Sequence, residues 1–163
     1  MIVVADTSPI NYLVLIGHVE VLPVFYSRIV VPPSVWQELH DASAPDSVRT
    51  WLSAPPVWLE RRMVNGALDS SLNFLDLGER EAIALAEEIS ADRLIVDETL
   101  AREAAQRRKL SVIGTLGILR NAARANLLNL PNALSELQNT NFYVSPDLIR
   151  SLLEEDAARL KGI

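Results

Sequence analysis

Residues 93–114 read RLIVDETLAREAAQRRKLSVIG, and their reading decides the fold class. RLIVD (93–97) is an almost wholly apolar run closed by an acid, the pattern of a strand buried on both faces. A helix from about Glu98 to Arg108 follows, and LSVIG (110–114) is the next strand. A strand, a helix and a second strand of this kind make a parallel pair joined by a crossover helix. Working outward, Gly78 to Ile89 is strongly helical, with Ala82, Ile83 and Ala86 on one face, and a further helix spans about Leu116 to Ala125.

The chain opens with the β-branched run IVVA, then Asp6 and a helix start in which Ser8 is the expected N-cap and Pro9 suits the first turn. That helix carries Ile10, Leu13 and Val14 on one face and ends near Gly17. A short helix over VEVLPVF, the strand RIVVP and a helix from Ser34 to Leu39 come next. Residues 41–56 are turn-rich with room for one helical turn, VWLERR reads as another strand, and 65–76 reads as loop. Strands alternating with helices, with the strands almost continuously apolar, predict an α/β protein whose parallel sheet is covered on both faces. Beyond Pro131 two more helices are expected, near 131–139 and 146–160. The second is amphipathic through Leu148, Ile149, Leu152, Leu153 and Leu160, and suits packing on the domain or on a partner. The expected division is therefore 1–130 for the α/β domain and 131–163 for a C-terminal helical extension.

At 163 residues the chain fits one domain with a sizeable core. The absence of cysteine excludes disulfides, thiolate metal sites and cysteine nucleophiles. Two histidines, His18 and His40, are too few for a histidine-rich zinc site, so a metal site would be built from oxygen ligands, which favours Mg²⁺ or Mn²⁺. No secretory leader pattern and no apolar run of roughly 18 residues is visible, so a cytoplasmic protein with no membrane partner is expected. A net charge of −6 argues against broad, charge-driven binding to nucleic acid, yet it is compatible with a nuclease whose active site is itself acidic.

Four acids stand where apolar patterning alone would not put them. Asp6 and Asp97 each close a strand at its carboxyl end, where open α/β sheets bind ligands, and each also has a plain reading as a favourable charge at a helix N-terminus. Glu79 lies in the first turn of a helix and shares the face of Ala82 and Ile83, which places it at the rim of the sheet; Glu81 lies on another side and is the reserve. Glu38 follows Val35 on a short helix and reads equally well as a solvated glutamate. Asp41, Asp46, Asp76 and Asp92 read as turn, loop or cap residues. Carboxylates converging at one sheet edge repel one another unless a divalent cation offsets their charge.

The ordered set DTSPI (6–10), VPPSVWQEL (31–39), LGEREAIALA (77–86), LIVDETLAR (94–102) and VIGTLGIL (112–119) resembles the PIN-domain family. It is most similar to the bacterial and archaeal branch related to VapC-type toxins of toxin–antitoxin pairs. The resemblance covers about residues 1–130 and implies a three-layer α/β/α sandwich and a Mg²⁺- or Mn²⁺-dependent ribonuclease. The family's acids fall on Asp6, Glu38, Glu79 and Asp97, with a glutamate where the third is commonly aspartate, so that Glu81 is the alternative register. On this reading Asp6 and Asp97 are metal ligands, and Glu79 is a ligand or holds metal-bound water. Glu38 orients or deprotonates the attacking water, and Ser8 holds the Asp6 carboxylate. Thr115, in the GTLG stretch that departs from typical VapC toxins, either lines the site or caps the following helix. Arg102, about one turn past Asp97, is the candidate for contact with RNA phosphate. The resemblance further implies an RNA substrate, a homodimer and a small basic antitoxin, which a chain of charge −6 would suit.

Two other readings compete. A receiver-like phosphoryl-transfer domain needs a lysine at a late strand end, whereas Lys109 precedes LSVIG. A catalytically silent member of the same fold would instead bind a protein through its terminal helices and an exposed Trp51 or Trp58.

Overall fold

The structure is a computed structural model and describes residues 1–162. Strands β1 (Ile2–Ala5), β2 (Arg28–Val31), β3 (Leu59–Arg61), β4 (Arg93–Ile95) and β5 (Val112–Ile113) form one sheet in the order β3-β2-β1-β4-β5. Every neighbouring pair is parallel, with Val4 opposite Val30 on one side and opposite Leu94 on the other. The helices are α1 (Thr7–Leu15), α2 (Leu22–Phe25), α3 (Pro33–His40), α4 (Asp46–Leu52), α5 (Leu77–Glu88), α6 (Thr99–Arg107), α7 (Thr115–Arg124), α8 (Leu130–Gln138) and α9 (Pro146–Leu160). Contacts divide the chain into two compact units, Met1–Gly114 and a second beginning at Thr115.

The first unit holds the whole sheet as its middle layer. Successive strand residues point to opposite faces. Val4, Val30, Leu94 and Val96 pack with Ala82, Ile83, Leu85 and Ala86 of α5 and with Ala101, Ala104 and Ala105 of α6. The alternate residues Val3, Ala5, Ile29, Val31 and Ile95 are equally buried. The helices α1, α3 and α4 pack on one another and bury Ile10, Leu13, Val35, Leu39, Val48 and Leu52. Right-handed crossovers require this division, because β1→β2→β3 runs one way across the sheet and β4→β5 the other. The three-layer α/β/α sandwich expected from the sequence is the fold of the chain. Burial of each large aliphatic side chain contributes roughly 1.5–3 kcal/mol.

Two local expectations are corrected. The turn-rich segment 41–56 contains a seven-residue helix, α4, because Val48 and Leu52 lie one turn apart and both reach the core. Ser8 is not an N-cap: α1 begins at Thr7, and Asp6, with the extended backbone that a cap position requires, precedes it without a side-chain capping bond.

In the second unit α7, α8 and α9 are in mutual contact and bury Ile118, Leu119, Ala122, Leu134, Leu137, Ile149 and Leu152. Leu148 and Leu160 of the amphipathic α9 are exposed. Glu155 accepts from both Arg120 and Arg124, and buried Asp156 pairs with Arg159 at 2.9 Å. No single helix among the described residues is long and apolar enough to cross a membrane.

Candidate active site

The order in which strands are added reverses between β1 and β4, and the crevice outside the carboxyl ends at such a switch point is where open α/β sheets bind ligands. Asp6 follows β1 and Asp97 lies two residues past β4, so the two acids flank that crevice. The ladder runs one residue past each strand: the Asp6 N–H donates to the Ile95 carbonyl and the Val96 N–H to the Ile113 carbonyl, each at 2.9 Å.

Gly78, in the first turn of α5, is the point on which three carboxylates converge. A Cβ at this glycine would stand 3.1 Å from Glu38 Oε1, 3.4 Å from Asp6 Oδ1 and 3.5 Å from Asp76 Oδ1. The space a side chain would fill is thus a cradle of oxygens contributed by β1, α3 and the start of α5. Asp76 is the member that sequence reading set aside as a turn residue. It caps α5 through a reciprocal box: its Oδ1 accepts from the Glu79 N–H at 2.8 Å, and Glu79 Oε2 accepts from the Asp76 N–H at 3.1 Å. The Asp-x-x-Glu spacing before the apolar stripe of α5 is the signal that marks it.

Burial pushes the Asp6 carboxyl up to about 7, a backbone hydrogen bond from Thr7 opposes this, and the charges of Asp76, Glu79 and Glu38 push it further up. Glu79 is also buried, and desolvation raises its carboxyl too, with Asp76, Glu98 and Glu38 adding repulsion. Glu38 is exposed but steered, because the Thr7 hydroxyl donates to its Oε2 at 2.7 Å. The hydroxyl at the head of α1 that holds a site acid is therefore that of Thr7, bonded to Glu38, where Ser8 bonded to Asp6 was expected.

Glu81, the reserve acid, is engaged elsewhere: one oxygen accepts from the Ser34 hydroxyl at 2.6 Å and from the Ser34 N–H at 3.0 Å, tying α5 to the first turn of α3. Asp97 is half-buried and approaches Gly114, where a Cβ would lie 2.8 Å from its Oδ1 and 3.5 Å from Arg102 Nη1. Arg102 thus stands beside Asp97. Asp97 also bears on α1, since burial and then the Asp97 charge raise the Tyr12 phenol. Thr115 is the first residue of α7 and is fully buried. Among the other basic residues, Arg108 is tied to Glu87 and Asp69.

The three atoms nearest a Cβ at Gly78 are all carboxylate oxygens, which is the donor chemistry of Mg²⁺ and Mn²⁺, and the cradle fits such an ion by kind. Among the described residues, no three acidic or imidazole side chains already close into a metal-binding cluster. Mutual repulsion is what an ion would have to offset.

The capping box yields a stability prediction. Asp76→Ala removes the acceptor of the Glu79 N–H and is expected to cost about 1 kcal/mol. Thermal unfolding should shift down by roughly 2–4 °C; no shift would mean that the box contributes nothing.

A family model, DUF3368, described as a PIN domain, matches residues 2–157. Among solved structures, the chain is similar to a PilT N-terminus domain protein from the hyperthermophilic archaeon Sulfolobus solfataricus P2, with a TM-score of 0.50 and 15% identity over 89% of this chain and 100% of that one. No curated protein matches.

Proposed function

The chain belongs to the PIN-domain family, and from that premise we propose that it is a Mg²⁺- or Mn²⁺-dependent endoribonuclease. PIN domains are generally nucleases and typically use divalent metal ions. The observation that carries the reading is the cradle of Asp6, Glu38 and Asp76 oxygens around Gly78 at the switch point of the sheet.

Asp6, Asp76 and Asp97 would hold the ion. Glu79, whose carboxylate closes the capping box, fixes Asp76 and shares the charge of the site. A divalent cation bound there would lower the pKa of water and offset the charge that builds on the attacked phosphate. Glu38, oriented by the Thr7 hydroxyl, would accept the proton of the attacking water as the water oxygen bonds to phosphorus. The phosphorus–oxygen bond to the leaving ribose oxygen breaks in the same step, that oxygen taking a proton from solvent. Arg102 receives a phosphate oxygen beside Asp97 through its fork of N–H donors. No protein nucleophile is needed for this hydrolysis. RNA as the substrate and a toxin role follow from the resemblance to VapC-type proteins, and the toxin role predicts growth arrest on induction of the wild type but not of Asp97→Asn.

The test is cleavage of a mixed RNA panel by purified protein with Mn²⁺, with Mg²⁺ and with EDTA, beside Asp97→Asn. Cleavage is expected with metal, absent in EDTA and absent in the variant, whose circular dichroism should match the wild type. Cleavage that persists in EDTA, or in the variant, would reject the metal mechanism. A partner-binding module is the second reading, and one observation favours it: Val57 is fully exposed beside a tilted pair of half-buried rings, Trp51 and Trp58, with centroids 5.8 Å apart. Absence of cleavage with either metal in a folded protein would move the assignment there.

A further inference from the structure

An open groove of about 200 Å³ runs along the exposed face of α6, lined by Thr99, Arg102, Glu103 and Gln106. These residues are spaced i, i+3, i+4 and i+7, so they form one stripe on one helix face. The volume lies below the roughly 300–1,000 Å³ of sites for drug-sized ligands, which suits one base and not two. Arg102 joins the stripe to the candidate site, because its Nη1 and Asp97 Oδ1 lie 3.5 Å and 2.8 Å from the same point above Gly114. Along the stripe from Asp97 the order is therefore Thr99, then Arg102 and Glu103, and Gln106 about one turn later.

We propose that this stripe is a nucleotide subsite which selects, beside the cut, a base that carries an exocyclic amine (adenine, cytosine or guanine) against uracil. The proposal rests on the ribonuclease reading. Each side chain has a distinct task. The Arg102 guanidinium takes the phosphate through its fork of donors. The Glu103 carboxylate, exposed on the stripe, is an acceptor only, so it takes an amino N–H from the edge of the base. Uracil has no amine and sets carbonyl oxygens on either side of its one edge N–H, which brings lone pairs against that carboxylate. The Gln106 amide both donates and accepts, and bonds the edge group next to the amine. Thr99, two residues past Asp97, supplies a hydroxyl suited to the ribose. One such contact discriminates between bases by about tenfold or more.

Two measurements decide it. In the first, the metal-free wild-type protein is titrated with AMP, CMP, GMP and UMP while backbone and side-chain NMR shifts are followed. Saturable shifts at Thr99, Arg102, Glu103 and Gln106 are expected with the three amine-bearing nucleotides, with UMP binding about tenfold more weakly. In the second, cleavage is timed on four RNA oligonucleotides that differ only in the base beside the cut, for wild type, Glu103→Gln and Gln106→Ala. Glu103→Gln places an N–H where the carboxylate was, so it should accept uracil and bring the preference close to parity. Gln106→Ala should slow all four. An unchanged base profile in Glu103→Gln, or shifts confined to other parts of the chain, would overturn the subsite. If the wild type cleaves no RNA with either metal, the ribonuclease reading fails by itself, and the titration still decides: base-selective shifts on α6 uphold a nucleotide site there, and none reject it.

Discussion

Asp6→Asn is expected to abolish RNA cleavage and, at pH 8, to raise the unfolding temperature of the metal-free protein by roughly 10 °C. The Asp6 carboxyl is buried and its pKa is raised from 3.8 to about 7. Between those values the folded chain holds a proton that the unfolded chain has released, so stability falls as pH rises through the window. The difference of about three pKa units amounts to about 4 kcal/mol once the pH exceeds 7. Asparagine keeps the shape and cannot ionise, so the variant escapes that cost at pH 8 and gains almost nothing at pH 4. Saturating Mn²⁺ should narrow the gap, because an ion held by the carboxylates stabilises the folded wild type and not the variant. Thermal melts of both proteins from pH 4 to pH 8 make the check. A gap that stays constant across that range would refute the account of Asp6.

Gly78→Ala is the second large effect, and it separates function from stability. Gly78 lies in the first turn of α5 with no positive φ, so alanine should favour the helix by up to about 1 kcal/mol. The added methyl, however, would sit 3.1 Å from Glu38 Oε1, tighter than ordinary contact, and against Asp6 and Asp76 as well. Glu38 must give way by a few tenths of an ångström while Asp6 and Asp76 stay in ordinary contact. Since a misplacement of about 1 Å at reacting groups costs about 100-fold in rate, this smaller shift should cost about tenfold. The expected variant melts at or above the wild-type temperature and cleaves RNA about tenfold more slowly. Activity within twofold of wild type would mean that the cradle is not where the chemistry happens.

Much of the first unit was legible because its signals are local. The runs IVVA, RIVV and RLIV are short and rich in β-branched residues, as buried strands are, and the acids that follow β1 and β4 stand out against them. The oxygen cradle was legible only in part. Asp76 shows the same residues whether it is a turn acid or one wall of a site, because a capping box is a contact three residues long, while the approach to Asp6 and Glu38 is set by how α3 and α5 meet over the sheet. Gly78 carries no chemical group, so its importance lies in what it leaves room for. Thr7 and Ser8 offer equivalent hydroxyls one residue apart, and helix phase alone decides which of them reaches Glu38. Glu81 has the exposed look of a solvated glutamate, but its bonds to Ser34 are long-range and have no trace in local pattern.

The sheet ends in a strand of three residues on one side and a strand of two on the other. Strand addition draws its affinity from main-chain hydrogen bonds along an edge, and stable strands usually run to about five or six residues. A peptide partner, or a second copy reaching across by strand exchange, would find too short a template here to hold by backbone alone. Recognition must therefore be written in side chains, which makes partner choice depend on particular residues of the helices and loops and leaves the protein with little of the generic edge-to-edge stickiness that drives β-aggregation.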